Sequence, residues 1–126
     1  MDYQDGFEIE VHRPAAKVVL LAVRGEVDVC TSLGLMEAIV EAFSEHPEVI
    51  AVDLSELQHM DSAGVRVLIQ SACHIEDGGV RFSVVLPSDH RLAQLIGLHR
   101  LLSVQESRED ALGPWLDEAG ELPTGA

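Results

Sequence analysis

Chemistry is best provided for in the tract Val52-Asp-Leu-Ser-Glu-Leu-Gln-His-Met-Asp-Ser-Ala-Gly-Val65. A strand ends there, a short loop follows, and Asp61-Ser62 opens a stretch with helical apolar spacing. Ser62 falls where an N-cap serine belongs, facing the free backbone N–H groups of a first helical turn. The helix dipole favours negative charge at that end. A phosphate on the hydroxyl would be accepted locally and leave the fold intact, adding a charge of roughly −1.5 to −2 at neutral pH. Beside Asp61 it would make the surface strongly anionic, and a partner seated on Ser62 would be expelled. Ala63 and Gly64 are small and leave the hydroxyl open to a kinase. The same hydroxyl also reads as a plain cap, and the residues alone favour that plainer role.

Other chemistries find no foothold. The chain has no GxGxxG, no Walker loop, no HExxH and no GxSxG. His12, His46, His59, His74, His90 and His99 show no metal-ligand spacing, and His59 and His74 read as surface or partly buried groups. No pair of acids stands out as a general acid and base. The expectation is a protein that is not an enzyme and holds neither cofactor nor metal. Cys30 and Cys73, without a CxxC, signal no disulfide framework or zinc site and read as small buried hydrophobes.

At 126 residues and 47% hydrophobic, the chain suits one domain with a full core. Aromatics are only 4%, so that core rests on Val, Leu, Ile and Ala. The net charge is −14, and most of the excess sits at the ends: residues 1–10 carry four acids and no base, residues 106–126 six acids and one base. Such a surface repels nucleic acid and anionic membrane and suits a basic or neutral protein partner, although solubility alone would also explain it. The longest apolar run, Val18 to Val23, is strand-sized, far short of a membrane span. The acidic opening Met-Asp-Tyr-Gln-Asp lacks an apolar leader segment, which points to the cytoplasm.

The elements that must position Ser62 follow from periodicity. Phe7 to His12 alternates like an edge strand, Pro14-Ala15-Ala16 reads as a hairpin turn, and Val18 to Val23 reads as a central strand. Gly25-Glu-Val-Asp28 then leaves the sheet. Thr31 or Ser32 caps a helix whose apolar stripe is Leu33, Met36, Ile39, Val40 and Phe43, ended by His46-Pro47. Val49 to Leu54 is the next buried strand. After it comes the Ser62 helix, with Val65, Leu68, Ile69, Ala72 and Ile75 on one face, stopped at Asp77-Gly78-Gly79. Val80 to Leu86 is a strand closed by Pro87. Ser88 or Asp89 caps a helix carrying Leu92, Leu95 and Ile96 and ending at Gly97, and Leu101 to Gln105 is a short last strand. Ser107-x-x-Asp110 resembles a capping box, and Gly113-Pro114 should break or kink that final helix. The order ββαβαβαβα implies one α/β domain. Its sheet is mixed but mostly parallel, with about five strands, an N-terminal hairpin and about four helices. The domain core is expected over about residues 7–112, with acidic termini partly disordered.

Three segments in this order resemble the anti-sigma factor antagonist family, a bacterial branch of the STAS domain fold. Gly25-Glu26-Val27-Asp28 with Thr31 resembles its G-E-[LV]-D segment. Asp53 to Val65 resembles its D-L-x-x-L-x-x-[ML]-D-S-[SAT]-G-[LV] signature. Arg91-Leu-Ala-Gln-Leu-Ile-Gly-Leu98 resembles its R-x-[FL]-x-x-x-G-L helix. The resemblance implies that Ser62 is the phosphorylated serine. It implies that the unphosphorylated form binds an anti-sigma factor that is also a serine kinase, freeing a sigma factor. Phosphorylation would release that kinase, and a metal-dependent phosphatase of the PP2C type would restore binding. Where the family often has a second serine, Ala63 leaves one acceptor. The implied partner surface comprises Asp28, Thr31, Met60, Asp61, Ser62, Ala63, Gly64, Val65 and Arg66. Asp28 reads equally as a loop residue capping the next helix, and inward packing is the default for Val65. Arg66, one turn past Ser62, departs from the family's small residue; it can pair with a phosphate or stand solvated.

Two rival readings remain. In a response-regulator receiver, Asp53 would be the phospho-acceptor, but the acidic pair after the first strand and the lysine after the last are missing; Lys17 is the sole lysine. A STAS ligand- or protein-binding module without phosphoregulation is the other.

Overall fold

An unbroken apolar run has no polar face to offer water, so the segment starting at Val18 must lie inside a sheet. The computed structural model describes residues 6–97 and 102–116. In it that segment opens β2 (Val18–Val27), between β1 (Phe7–Ala15) and β3 (Val49–Met60). β4 (Arg81–Val85) and β5 (Val104–Gln105) complete a five-stranded sheet of order β1-β2-β3-β4-β5. The β1–β2 hairpin is antiparallel and every other pair is parallel. The helices α1 (Ser32–Phe43), α2 (Ser62–Asp77), α3 (Ala93–Gly97) and α4 (Arg108–Leu112) alternate with the strands as expected.

Right-handed crossovers between neighbouring parallel strands place successive helices on one face. There Leu21, Ile50, Val52 and Phe82 pack with Leu35, Ile39, Leu68, Ile75 and Ile96. The alternate residues Val18, Leu20, Val49 and Ala51 point the other way and meet Ala111 and Leu112 of α4. A two-residue side-chain period in strands that are apolar throughout thus builds two cores. On the α4 side, Arg108 Nε donates to Asp53 Oδ2 at 2.6 Å, and Asp53 is 4% exposed. Its other oxygen accepts from the Ser55 N–H at 2.8 Å. Asp53 is therefore a buried structural acid, which removes it as a receiver-type phospho-acceptor.

The strands run longer than the periodicity suggests. β1 continues through Pro14, so the hairpin turn is Ala16-Lys17, with Lys17 at φ 72°. β2 stays in the sheet past Gly25, and β3 runs to Met60 where a loop was expected after Leu54. Register shifts between Ala22 and Arg24 and between Gly25 and Glu26 mark bulges in the β2–β3 ladder. They let Glu56, Gln58 and His59 face outward while Leu57 and Met60 remain buried, a mixture that reads as loop in sequence.

Other expectations need correction. α1 buries Leu35, Ile39 and Ala42 and leaves Leu33, Met36 and Val40 exposed, because its apolar residues surround more than one face. It ends at Phe43, ahead of His46-Pro47. Neither Ser88 nor Asp89 caps α3, which starts at Ala93; instead the His90 ring nitrogen Nδ1 accepts from the Leu92 N–H at 3.1 Å. Cys30 and Cys73 are both exposed. Cys30 lies in the turn before α1 and Cys73 on the outer side of α2. The Ser107 cap is present, its hydroxyl accepting from the Asp110 N–H at 3.1 Å, and α4 gives way to a 3-10 turn at Gly113–Trp115. Residues 1–5 and 117–126, and the expectations falling on residues 98–101, lie outside the described residues. Among those described, no helix is long and apolar enough to cross a membrane.

Candidate functional site

Two segments meet at the end of the sheet, beyond the last β2–β3 pair, Val27 with Met60. The first is the turn after β2. Asp28 Oδ1 accepts from the N–H groups of Cys30 at 2.9 Å and Thr31 at 3.1 Å. The buried Thr31 hydroxyl accepts from the Asp28 N–H at 2.9 Å and donates to the Glu26 carbonyl at 3.0 Å. Asp28 and Thr31 thus knot the turn that leads into α1; the N-cap of that helix is Thr31, which makes no side-chain capping bond, and Asp28 ties the turn ahead of the helix. Gly25 anchors the strand behind this turn. Its φ is +93°, and a Cβ there would lie 1.1 Å from the Gly6 carbonyl oxygen, so only glycine fits.

The second segment is the start of α2. The N-cap is Asp61, not Ser62: its Oδ1 accepts from the Ala63 N–H at 2.9 Å with the backbone extended at φ −102°, ψ −172°. An aspartate fills the cap at least as well as a serine, and it displaces Ser62 to the first helical residue. The correction frees the Ser62 hydroxyl from a capping duty, and Ser62 is exposed. The Asp61 N–H donates to the Val27 carbonyl at 3.1 Å, which holds the two segments side by side.

The remaining residues of the expected surface divide by depth. Met60 is 2% exposed and Val65 5%, so both support the surface from below. Gly64 is buried as well: a Cβ there would approach Met60 Cγ to 2.7 Å and Val27 Cγ1 to 2.8 Å. Its smallness serves the packing of α2 on β2 and β3, not access to the serine. Ala63 and Asp61 are half-buried, and Arg66 is exposed one turn after Ser62. Ser62, Arg66, Ile69 and Leu95 border an open cleft of about 680 Å³ between α2 and α3. Sequence reasoning missed Val27 and Leu95: Val27 was read for its motif, not for packing under Gly64, and Leu95 was read as core. Among the described residues no group of three or more His, Cys, Asp or Glu side chains could hold a metal ion.

A mixed five-stranded sheet alternating with helices in this order is the architecture of a STAS domain, and the model of that family matches residues 7–111. The anti-sigma-F factor antagonist RsfB of Mycobacterium tuberculosis is 31% identical over 97 residues, covering 75% of this chain and 79% of RsfB. The chain belongs to the anti-sigma factor antagonist family of STAS domains. Among solved folds, an anti-sigma factor antagonist from Mycobacterium paratuberculosis superposes with a TM-score of 0.70 at 24% identity, over 90% of this chain and 97% of that one. The Bacillus cell fate determinant SpoIIAA, solved in its phosphorylated form, superposes with a TM-score of 0.63 at 21% identity, over 85% and 98% of the two chains.

Proposed function

We propose that this chain is an anti-sigma factor antagonist that works as a phosphorylation-controlled binding protein. Its unphosphorylated form binds an anti-sigma factor that is also a serine kinase, and so frees a sigma factor. Phosphate on Ser62 ends that binding, and a phosphatase of the PP2C type restores it. The observation that carries the reading is the position of Ser62: exposed, first in α2, relieved of capping by Asp61, and adjacent to the Asp28 turn. The first-turn N–H groups and helix dipole tolerate an added anion there, so phosphorylation changes the surface without unfolding the helix. Asp28, Asp61, Ser62, Ala63 and Arg66 make the contact face, with Thr31, Met60, Gly64 and Val65 shaping it from beneath.

The test is peptide mass spectrometry of the chain after incubation with ATP and each histidine-kinase-like anti-sigma factor of its host. Phosphate on the Ser62 peptide, absent in Ser62→Ala, is expected. Absence of phosphate with every kinase would overturn phosphoregulation and leave an unregulated binding module.

A further inference from the structure

Three residues of the α1 stripe expected in the core, Leu33, Met36 and Val40, face outward, while Ile39 is buried and Phe43 packs against the core. Leu33 and Val40 are each 59% exposed, Met36 37%, and Val29 in the preceding turn 76%. At 3.6 residues per turn, positions 33, 36 and 40 fall within about 60° of one another. Beside this stripe, α1 and α2 leave an apolar groove of about 150 Å³. Met36, Ile39, Val40, Phe43 and Val67 form its apolar wall, and His74 stands at its polar side. A space of that size accepts roughly one benzene-sized group. An exposed apolar row along a groove is the form in which helices receive amphipathic helices.

Charge selects the occupant. Glu37 and Glu41 are exposed on α1 and flank the stripe on the side away from the groove. From Gly25 to Glu45 the chain has five acids and no Lys or Arg; Glu45 among them is paired with Arg13 of β1, which leaves Glu37 and Glu41 as the acids beside the stripe. A second copy is disfavoured, since a twofold contact through α1 would set Glu37 and Glu41 against the same acids. The chain's own tail is disfavoured too. Residues 117–126 carry three acids and no base. That tail leaves just after Trp115, which packs on the opposite face of the sheet.

We infer that the α1 face is a second docking surface, occupied by a cationic amphipathic helix of a partner protein. One large apolar side chain of that helix fills the groove, its other apolar residues cover Leu33 and Val40, and its Lys or Arg side chains face Glu37 and Glu41. The inference goes beyond the Ser62 reading: the groove flanks α2 on its α1 side, whereas the serine borders the cleft on the α3 side.

A photo-crosslinking amino acid at Val40, in the full chain expressed in its host, tests this. Ser62→Ala and Ser62→Asp backgrounds are used together, so the outcome holds whether or not the serine is a switch. The expected result is a crosslink to another protein, mapped to a helical segment with apolar residues on one side and Lys or Arg beside them. Glu37→Lys with Glu41→Lys should cut the yield about tenfold or more while circular dichroism stays unchanged. A crosslink to a second copy, to residues 117–126 or to an acidic segment, no crosslink in either background, or indifference to the charge reversal would overturn it.

Discussion

The backbone N–H of Asp61 donates to the carbonyl of Val27 at 3.1 Å, joining the residue that caps α2 to the last residue of β2. The turn of Asp28 and the head of α2 are thereby one surface, although 33 positions separate Asp28 from Asp61 in the chain. On the proposed function, a partner seated on Ser62 would also meet the Asp28 turn, and a phosphate on Ser62 would act on the whole contact.

Gly64→Ala should lower stability by about 1 kcal/mol, and by no more than ~2 kcal/mol. Replacing a helical glycine gains up to ~1 kcal/mol of propensity. The added methyl, however, meets Met60 Cγ at 2.7 Å and Val27 Cγ1 at 2.8 Å. Overpacking of that kind costs about 1–3 kcal/mol. A fall in the urea midpoint is expected; an unchanged or higher midpoint would show that Met60 yields freely.

Thr31→Val should destabilise by about 1–3 kcal/mol, because the Asp28 N–H and the Glu26 carbonyl both lose their hydroxyl partner in a buried turn. Thr31→Ser keeps both bonds and should recover most of the loss. Urea unfolding of the three proteins decides, and equal midpoints for the Val and Thr proteins would contradict the role.

Arg66 lies one helical turn after Ser62 on the same side, and a phosphate on Ser62 would be in reach of its guanidinium. A cation at this spacing favours the doubly charged phosphate and so lowers its second pKa. Phosphoserine installed at position 62 and followed by ³¹P NMR should therefore titrate lower than in the Arg66→Gln protein. Coincident curves would exclude the pair.

Glu45 is held below the usual glutamate range by a hydrogen bond from Arg13, opposed in part by desolvation, with the Arg13 charge adding a lesser pull in the same downward direction. The Nε–Oε1 distance is 3.0 Å. A lowered folded-state value means that any stabilisation is present above the unfolded-state pKa and is lost as pH falls through the lowered one. The pair is exposed to solvent, so the effect on folding is small. Side-chain ¹³C titration should show the Glu45 midpoint rising in Arg13→Gln; no movement would remove the pair as its cause.

The order of elements was legible because β2, β3 and β4 are apolar runs and α2 has a clean stripe from Val65 to Ile75. The long ends of β2 and β3 were not, since a bulged strand with one face in water carries the polarity of a loop. The rotation of α1 was hidden by apolar residues on two of its faces; packing against β2 and α2 chose Leu35 over Leu33. At the site, the Asp-Ser pair announced a helix start, but both residues are good caps. Only the backbone geometry, extended at Asp61 and helical at Ser62, assigns the cap to the aspartate and leaves the serine free.

The measurement that bears most directly on the proposed switch is the affinity of Ser62→Ala and Ser62→Asp for the anti-sigma kinase of the same host. Burying a new charge against an unmatched surface costs several kcal/mol, so the Asp variant should bind at least ~100-fold more weakly than the Ala variant. Equal affinities, with both variants folded, would contradict the claim that charge at Ser62 controls the partner.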